Sequence, residues 1–234
     1  MKHLKLFKQI FCKSRKNQTN RKELLEKCLE CINNNNMGYD KKKVANYIIG
    51  IIVEYLNYNE AVEAITKSNG VIDNSHIGII YNCIEKYYDT KANKRNEEKL
   101  INVNCIPILL NPWRKDRIID NIDYFSNKDS FDGVSHSSNI LNYHLFPMNF
   151  IVCYGGNHSQ FAARYKNNGK TIITSSYDYT NIYNTTRFDG YNYINTENNA
   201  SIKLTDNEGH NITDNEELIF FSGLLFELGR YNLD

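Results

Sequence analysis

The sequence predicts an α/β protein of the α+β kind, a helical N-terminal region followed by a small mixed sheet. Two observations carry that expectation. Through about residue 90, apolar residues recur at i, i+4 and i+7, the spacing of amphipathic helices. Beyond Leu100, short β-branched and aromatic runs alternate with Gly and Pro turns and brief helical stretches. The expected division is a helical region over 1–95 and an α/β domain over 100–234, ended by a closing helix.

Taken in order, the chain opens with basic residues around Leu4, Phe7, Ile10 and Phe11, a short amphipathic helix. Asn20 can cap the next helix, whose face holds Leu24, Leu25, Cys28, Leu29 and Ile32. Asp40 can cap a helix from Lys41 to about Lys67, with Val44, Ile48, Ile52 and Leu56 in its stripe. A third helix is expected to about Tyr88, and the charged run Thr90–Lys99 reads as a linker. Glu54, Glu60 and Glu63 read as charges on solvated helix faces.

Leu100–Leu110 is strand-like, and Pro112 suits the first turn of a following helix. Ser126–Asn142 has the composition of a loop. Phe150–Tyr154 reads as a buried strand, Gln160 to about Asn168 as a helix, and Lys170–Thr174 as another strand. Near the end, Thr213 and Glu216 form a capping box for a helix that buries Leu218, Phe221, Leu224, Leu225 and Leu228. Glu227 and Arg230 read as a surface pair on that helix.

Composition narrows the function. With 28 basic and 27 acidic residues, the net charge is +1, which argues against a global attraction to nucleic acid while allowing a local basic patch. The six cysteines follow no zinc-site spacing, and the Cys28–Cys31 pair sits on one helix turn, so reduced thiols in a cytoplasmic setting are expected. No run reaches the ~18 apolar residues of a membrane span.

The chemistry concentrates between Phe150 and Asp178. There the strand FIVCY meets Gly155-Gly156 and then Asn157-His158-Ser159, with Ser159 or Asn157 as candidate N-cap. A strand feeding a glycine turn and a helix start presents free amides and a helix dipole to one point, an anion site. Such a turn can equally be only a tight connection. Upstream, Asn111-Pro112-Trp113-Arg114-Lys115-Asp116-Arg117 puts basic residues at a helix start, where the dipole opposes them. That position suits an acidic ligand, with ordinary surface arginine as the plain alternative. Trp113 is either a packing anchor or a base-stacking ring.

The order NPWRKDR, helix, apolar strand, GGNHSQFAA, helix, KTIITS strand resembles the ParB/sulfiredoxin superfamily over roughly residues 103–190. It is more similar still to an uncharacterised bacterial family with a GNHS turn. The resemblance implies a ParB/sulfiredoxin-like core and basic contacts near Arg114. Asn157 stands where sulfiredoxins carry a nucleophilic cysteine, so reductase chemistry is not expected. Ser159 replaces an arginine, which leaves triphosphate binding to Arg164 or the upstream arginines.

These residues outline a phosphate site. Gly155, Gly156, Asn157 and Ser159 supply donors, Arg114 and Arg117 supply cations, and His158 and Asp178 are the candidate catalytic groups. Asp178 or Asp189 could hold Mg²⁺ for phosphoryl chemistry. No protein metal site is otherwise assigned. The expected function is binding of a nucleotide or nucleic-acid phosphate with metal-dependent hydrolysis, as in a nuclease or nucleotide hydrolase, in a chain that could pair as a homodimer. The alternatives are a non-catalytic nucleotide-sensing or sequestering module and an interaction domain with a structural glycine turn.

Overall fold

The computed structural model describes residues 19–34, 38–72, 93–126, 130–135, 137–204 and 216–233. The expected helices over 1–18 and 73–88 and the capping-box residue Thr213 lie outside them. Helix α1 spans Thr19–Asn33 and α2 spans Lys41–Thr66. Asp40 caps α2 as its position suggests, its carboxylate accepting the Lys43 N–H at 3.2 Å.

The sheet is mixed, as expected. Its strands are β1 (Asn93–Asn102), β2 (Ile108–Leu109), β3 (Phe131–Asp132), β4 (Leu141–Phe146), β5 (Phe150–Gly155) and β6 (Gly169–Asp178). The order is β1-β6-β4-β5-β2, with β3 joining β6. The β1/β6 and β4/β5 pairs are antiparallel, while β4/β6, β2/β5 and β3/β6 are parallel. Helix α3 (Lys115–Ser126) follows β2, and α4 (Asn157–Tyr165) joins β5 to β6. A four-residue helix α5 (Thr180–Tyr183), the hairpin of β7 (Thr186–Phe188) and β8 (Tyr193–Asn195), and helix α6 (Glu216–Gly229) complete the chain.

Helices cover both faces of the sheet. Phe150 and Val152 of β5 join a core with α1, the first half of α2 and α6, whereas Ile151 and Cys153 join another with α3, α4 and the end of α2. A strand buried on both faces reads as a continuous apolar run, which is why FIVC was legible. Helix α2 therefore runs past the β2 edge and contributes to both cores. At that crossing Asn57, fully buried, donates to the Ile108 carbonyl at 2.8 Å and accepts the Leu110 N–H at 2.7 Å. Its carboxamide takes the place of a neighbouring strand.

Several expectations are corrected. The proposed linker is strand over residues 93–99, because β6 supplies a ladder that local charge could not reveal. The loop-like stretch Ser126–Asn142 contains β3, a 3₁₀ turn over Ser137–Asn139 and the start of β4. Glu60 is buried, and Glu54 bonds Arg164 of α4. Helix α6 is buried from Leu218 to Gly229 rather than along one stripe. Glu227 and Arg230 do pair, at 2.6 Å, but not on the surface: Glu227 is buried and also accepts the Phe188 N–H at 2.6 Å, and Arg230 also donates to the Tyr183 carbonyl at 2.9 Å. Cys28 is buried and Cys31 exposed, and burial pushes the Cys28 thiol up to about 12.

Candidate functional site

Two tight approaches build the glycine turn. A Cβ on Gly155 would lie 2.5 Å from the Asn139 carbonyl oxygen, so a larger residue would push the Ser137–Asn139 turn away. Gly156 has φ +79°, the left-handed region that side chains disfavour. The helix begins at Asn157, earlier than expected, because Gly156 itself is the N-cap and its carbonyl accepts the Gln160 N–H at 3.0 Å. Neither Asn157 nor Ser159 caps it. Ser159 Oγ instead donates to the Gly156 carbonyl at 3.1 Å. The amides of Asn157, His158 and Ser159 occupy the first turn, where no intrahelical carbonyl can reach them.

The NPWR segment is tied directly to this turn. Asn157 Oδ1 accepts the Asn111 N–H at 2.9 Å, and His158 Nε2 accepts the Arg114 N–H at 3.2 Å. The Trp113 and His158 rings meet edge-to-face with centroids 5.8 Å apart. Pro112 is buried ahead of α3 rather than in its first turn, and the Arg114 carbonyl accepts the Ile118 N–H at 3.0 Å to open the helix. Arg114 and Lys115 therefore stand at the helix start, as anticipated, with Asp116 offsetting them. Arg114 Nε donates to Asp116 Oδ1 at 3.1 Å, and its guanidinium lies 5.5 Å from the Trp113 ring centroid.

The result is an open cleft of about 440 Å³ bordered by Arg114, Arg117, Gly155, Gly156, Asn157, His158 and Ser159. Seven of the eight residues proposed for the site thus converge. Trp113, Asn121 and Tyr154 also line it. Asn121 could have been read from the sequence, since it lies one helical turn beyond Arg117. Among the described residues Arg117 forms no ion pair, so its charge is available to the cleft.

Asp178 is the exception. It pairs with Phe146 at one end of β4, while Gly155 pairs with Leu141 at the other. Its carboxylate accepts the Thr180 N–H at 2.9 Å and hydroxyl at 2.6 Å, a local turn that leads into α5. Asp189 is likewise taken up locally, accepting the N–H groups of Tyr191 and Asn192 at 2.9 and 2.8 Å. These two carboxylates do not fit a Mg²⁺ site in the cleft, and no cluster of three metal-binding side chains occurs among the described residues.

His158 departs from the expected near-neutral acid/base. Burial, reinforced by the Arg117 charge and opposed by Asp116, pushes it down to about 4. It is neutral at pH 7, and with Nε2 accepting, the proton resides on Nδ1. Arg164 is also committed elsewhere. It bonds Glu54, donates to the Val103 carbonyl, and reaches the Ile106 carbonyl at 3.2 Å, so it does not substitute for a cation in the turn.

Beneath the turn lies a polar network that the sequence did not signal. Gln160 and Asn142, both fully buried, exchange carboxamide bonds of 2.9 and 3.2 Å. Thr171 donates to Gln160 Oε1 at 2.6 Å, and Gln160 Nε2 also reaches the Gly155 carbonyl at 3.3 Å. The network fixes α4 against β4 and β6 and holds the amides in place.

No helix among the described residues is long and apolar enough to cross a membrane. No curated protein and no solved structure matches the chain. A family profile matches residues 7–234, nearly the whole length, and the chain belongs to that family of unknown function, DUF6710.

Proposed function

We propose that the protein binds a phosphate group of a nucleotide or nucleic acid in the cleft at the head of α4, and holds its ligand rather than hydrolysing it. One observation carries this reading: Arg114, Arg117 and the first-turn residues of α4 line the same cleft. Amides that lack intrahelical acceptors, with cations beside them, make a phosphate-sized anion site. The kinship with the ParB/sulfiredoxin superfamily is part of the same proposal. It rests on the order of the NPWR segment, strand, GNHS turn and helix.

Binding is favoured over hydrolysis because the catalytic pair is not assembled. Neutral His158 uses Nε2 to hold the Arg114 amide, and the Asp178 carboxylate is bonded to Thr180 beyond the other end of β4. Any Mg²⁺ would arrive with the ligand's phosphates. The competing reading, a purely structural turn, draws on the two bonds that Asn157 and His158 give to the NPWR segment.

Thermal melts separate the readings. Pyrophosphate, tripolyphosphate and nucleotides, each with and without Mg²⁺, should raise Tm with saturable concentration dependence; a ligand at 100 times its Kd adds ~2.7 kcal/mol. Arg117→Ala should remove that shift. A Tm indifferent to every anion leaves the structural turn as the answer, and turnover in the same mixtures restores hydrolysis.

A further inference from the structure

The cationic cleft is one compartment of a longer groove. Along α3, Arg117, Asn121 and Tyr124 recur at i, i+4 and i+7 and so form one stripe. Arg117 and Asn121 line the cleft, while Asn121 and Tyr124 line a second hollow of about 330 Å³. Asn121, Gly156 and Ser159 border both, so the two adjoin.

Their chemistry differs. The second compartment has no cation among its lining residues. Its floor is apolar, formed by the buried Phe125 and Ile140, and the half-exposed Tyr124 ring stands perpendicular to the Phe125 ring with centroids 5.0 Å apart. Asn139 contributes a carboxamide and Asp120 a carboxylate, while the Asn121 carboxamide donates once to the Arg117 carbonyl at 2.8 Å and keeps its oxygen and second N–H for a ligand. An aromatic face over an apolar floor suits a flat heteroaromatic ring, carboxamides suit the edge of a base, and a carboxylate accepts from sugar hydroxyls. That carboxylate would also repel a second phosphate.

We infer that the Tyr124–Asn139 compartment is a nucleoside subsite, and that the ligand is a mononucleotide lying along α3 with its phosphates at Arg117 and its base at Tyr124. This rests on the phosphate-binding reading above. A nucleic-acid strand fits less well, because its next phosphate would meet Asp120.

Isothermal titration of the full chain tests the inference with tripolyphosphate, the four common ribonucleoside triphosphates, their free nucleosides and a short single-stranded oligonucleotide. At least one triphosphate nucleotide should bind about tenfold or more tighter than tripolyphosphate, the margin that one base–aromatic stack supplies. Tyr124→Ala should erase that margin and leave tripolyphosphate affinity unchanged. Equal affinity of wild-type protein for tripolyphosphate and every nucleotide overturns the subsite while leaving phosphate binding intact. Tighter binding of the oligonucleotide overturns the mononucleotide assignment. Absence of binding by all the phosphates removes the underlying reading, and the subsite with it.

Discussion

The imidazole of His158 accepts the backbone N–H of Arg114 at 3.2 Å, joining the first turn of α4 to the start of α3. Protonation would remove the acceptor and place a second charge beside Arg117. The folded value of about 4 lies below the ordinary 6.5, so the unfolded chain binds more protons between these pH values. Stability from this residue is therefore complete above about pH 6.5 and falls as pH drops toward 4. Urea midpoints at pH 7.5 and pH 5 should show a decrease that is smaller in His158→Gln, which keeps an acceptor but does not titrate. An identical decrease in both proteins would remove His158 as the source.

The glycines of the turn should respond differently to substitution. Gly156→Ala places a side chain in the left-handed region and should cost about 1–2 kcal/mol. Its Cβ would contact Ile140 at 3.3 Å, toward the second compartment rather than into the cationic cleft. Gly155→Ala meets the Asn139 carbonyl at 2.5 Å and should cost more, since backbone must move. Denaturant titrations in which Gly155→Ala proved the milder change would contradict the packing of the 3₁₀ turn.

Two arginines separate binding from folding. Arg164→Ala leaves Glu54 and two carbonyls without their partner and should destabilise by ~2–3 kcal/mol, below the range for a fully buried pair because Glu54 is partly exposed. Arg117→Ala should change stability by no more than about 0.5 kcal/mol. Only the latter should abolish the anion-induced rise in Tm while the unliganded Tm stays in place. The reverse pattern would put the cation role on Arg164.

Asn57→Ala should cost ~2–4 kcal/mol, because it strands both the Ile108 carbonyl and the Leu110 N–H in a buried setting. Anion binding should persist in the folded fraction. A loss under 1 kcal/mol in denaturant melts would mean that water or a shifted backbone satisfies both groups.

What the sequence revealed follows from how local each signal is. Phe150–Cys153 was readable because a strand buried on both sides needs apolar residues at every position. Gly155, Gly156 and the basic start of α3 were readable because backbone geometry and helix dipoles act within a few residues. The role of Asp178 depends on which end of β4 its strand meets, and the strand character of residues 93–99 depends on β6; neither is encoded in neighbouring residues. His158, Arg164 and Glu227 were misread for the same reason. Their polarity suggested solvent or chemistry, and only the tertiary partners show that they join elements of the fold.

The Asn57 carboxamide has a consequence for assembly. By occupying the Ile108 carbonyl and the Leu110 N–H, it takes two of the backbone groups that this margin would present to a strand from another molecule. Along the path of described strands, the opposite margin is β1, whose ladder with β6 shifts register between Asn96 and Lys99. One border is engaged by a side chain and the other interrupted by an irregularity, so fibre growth by sheet extension is disfavoured on both sides.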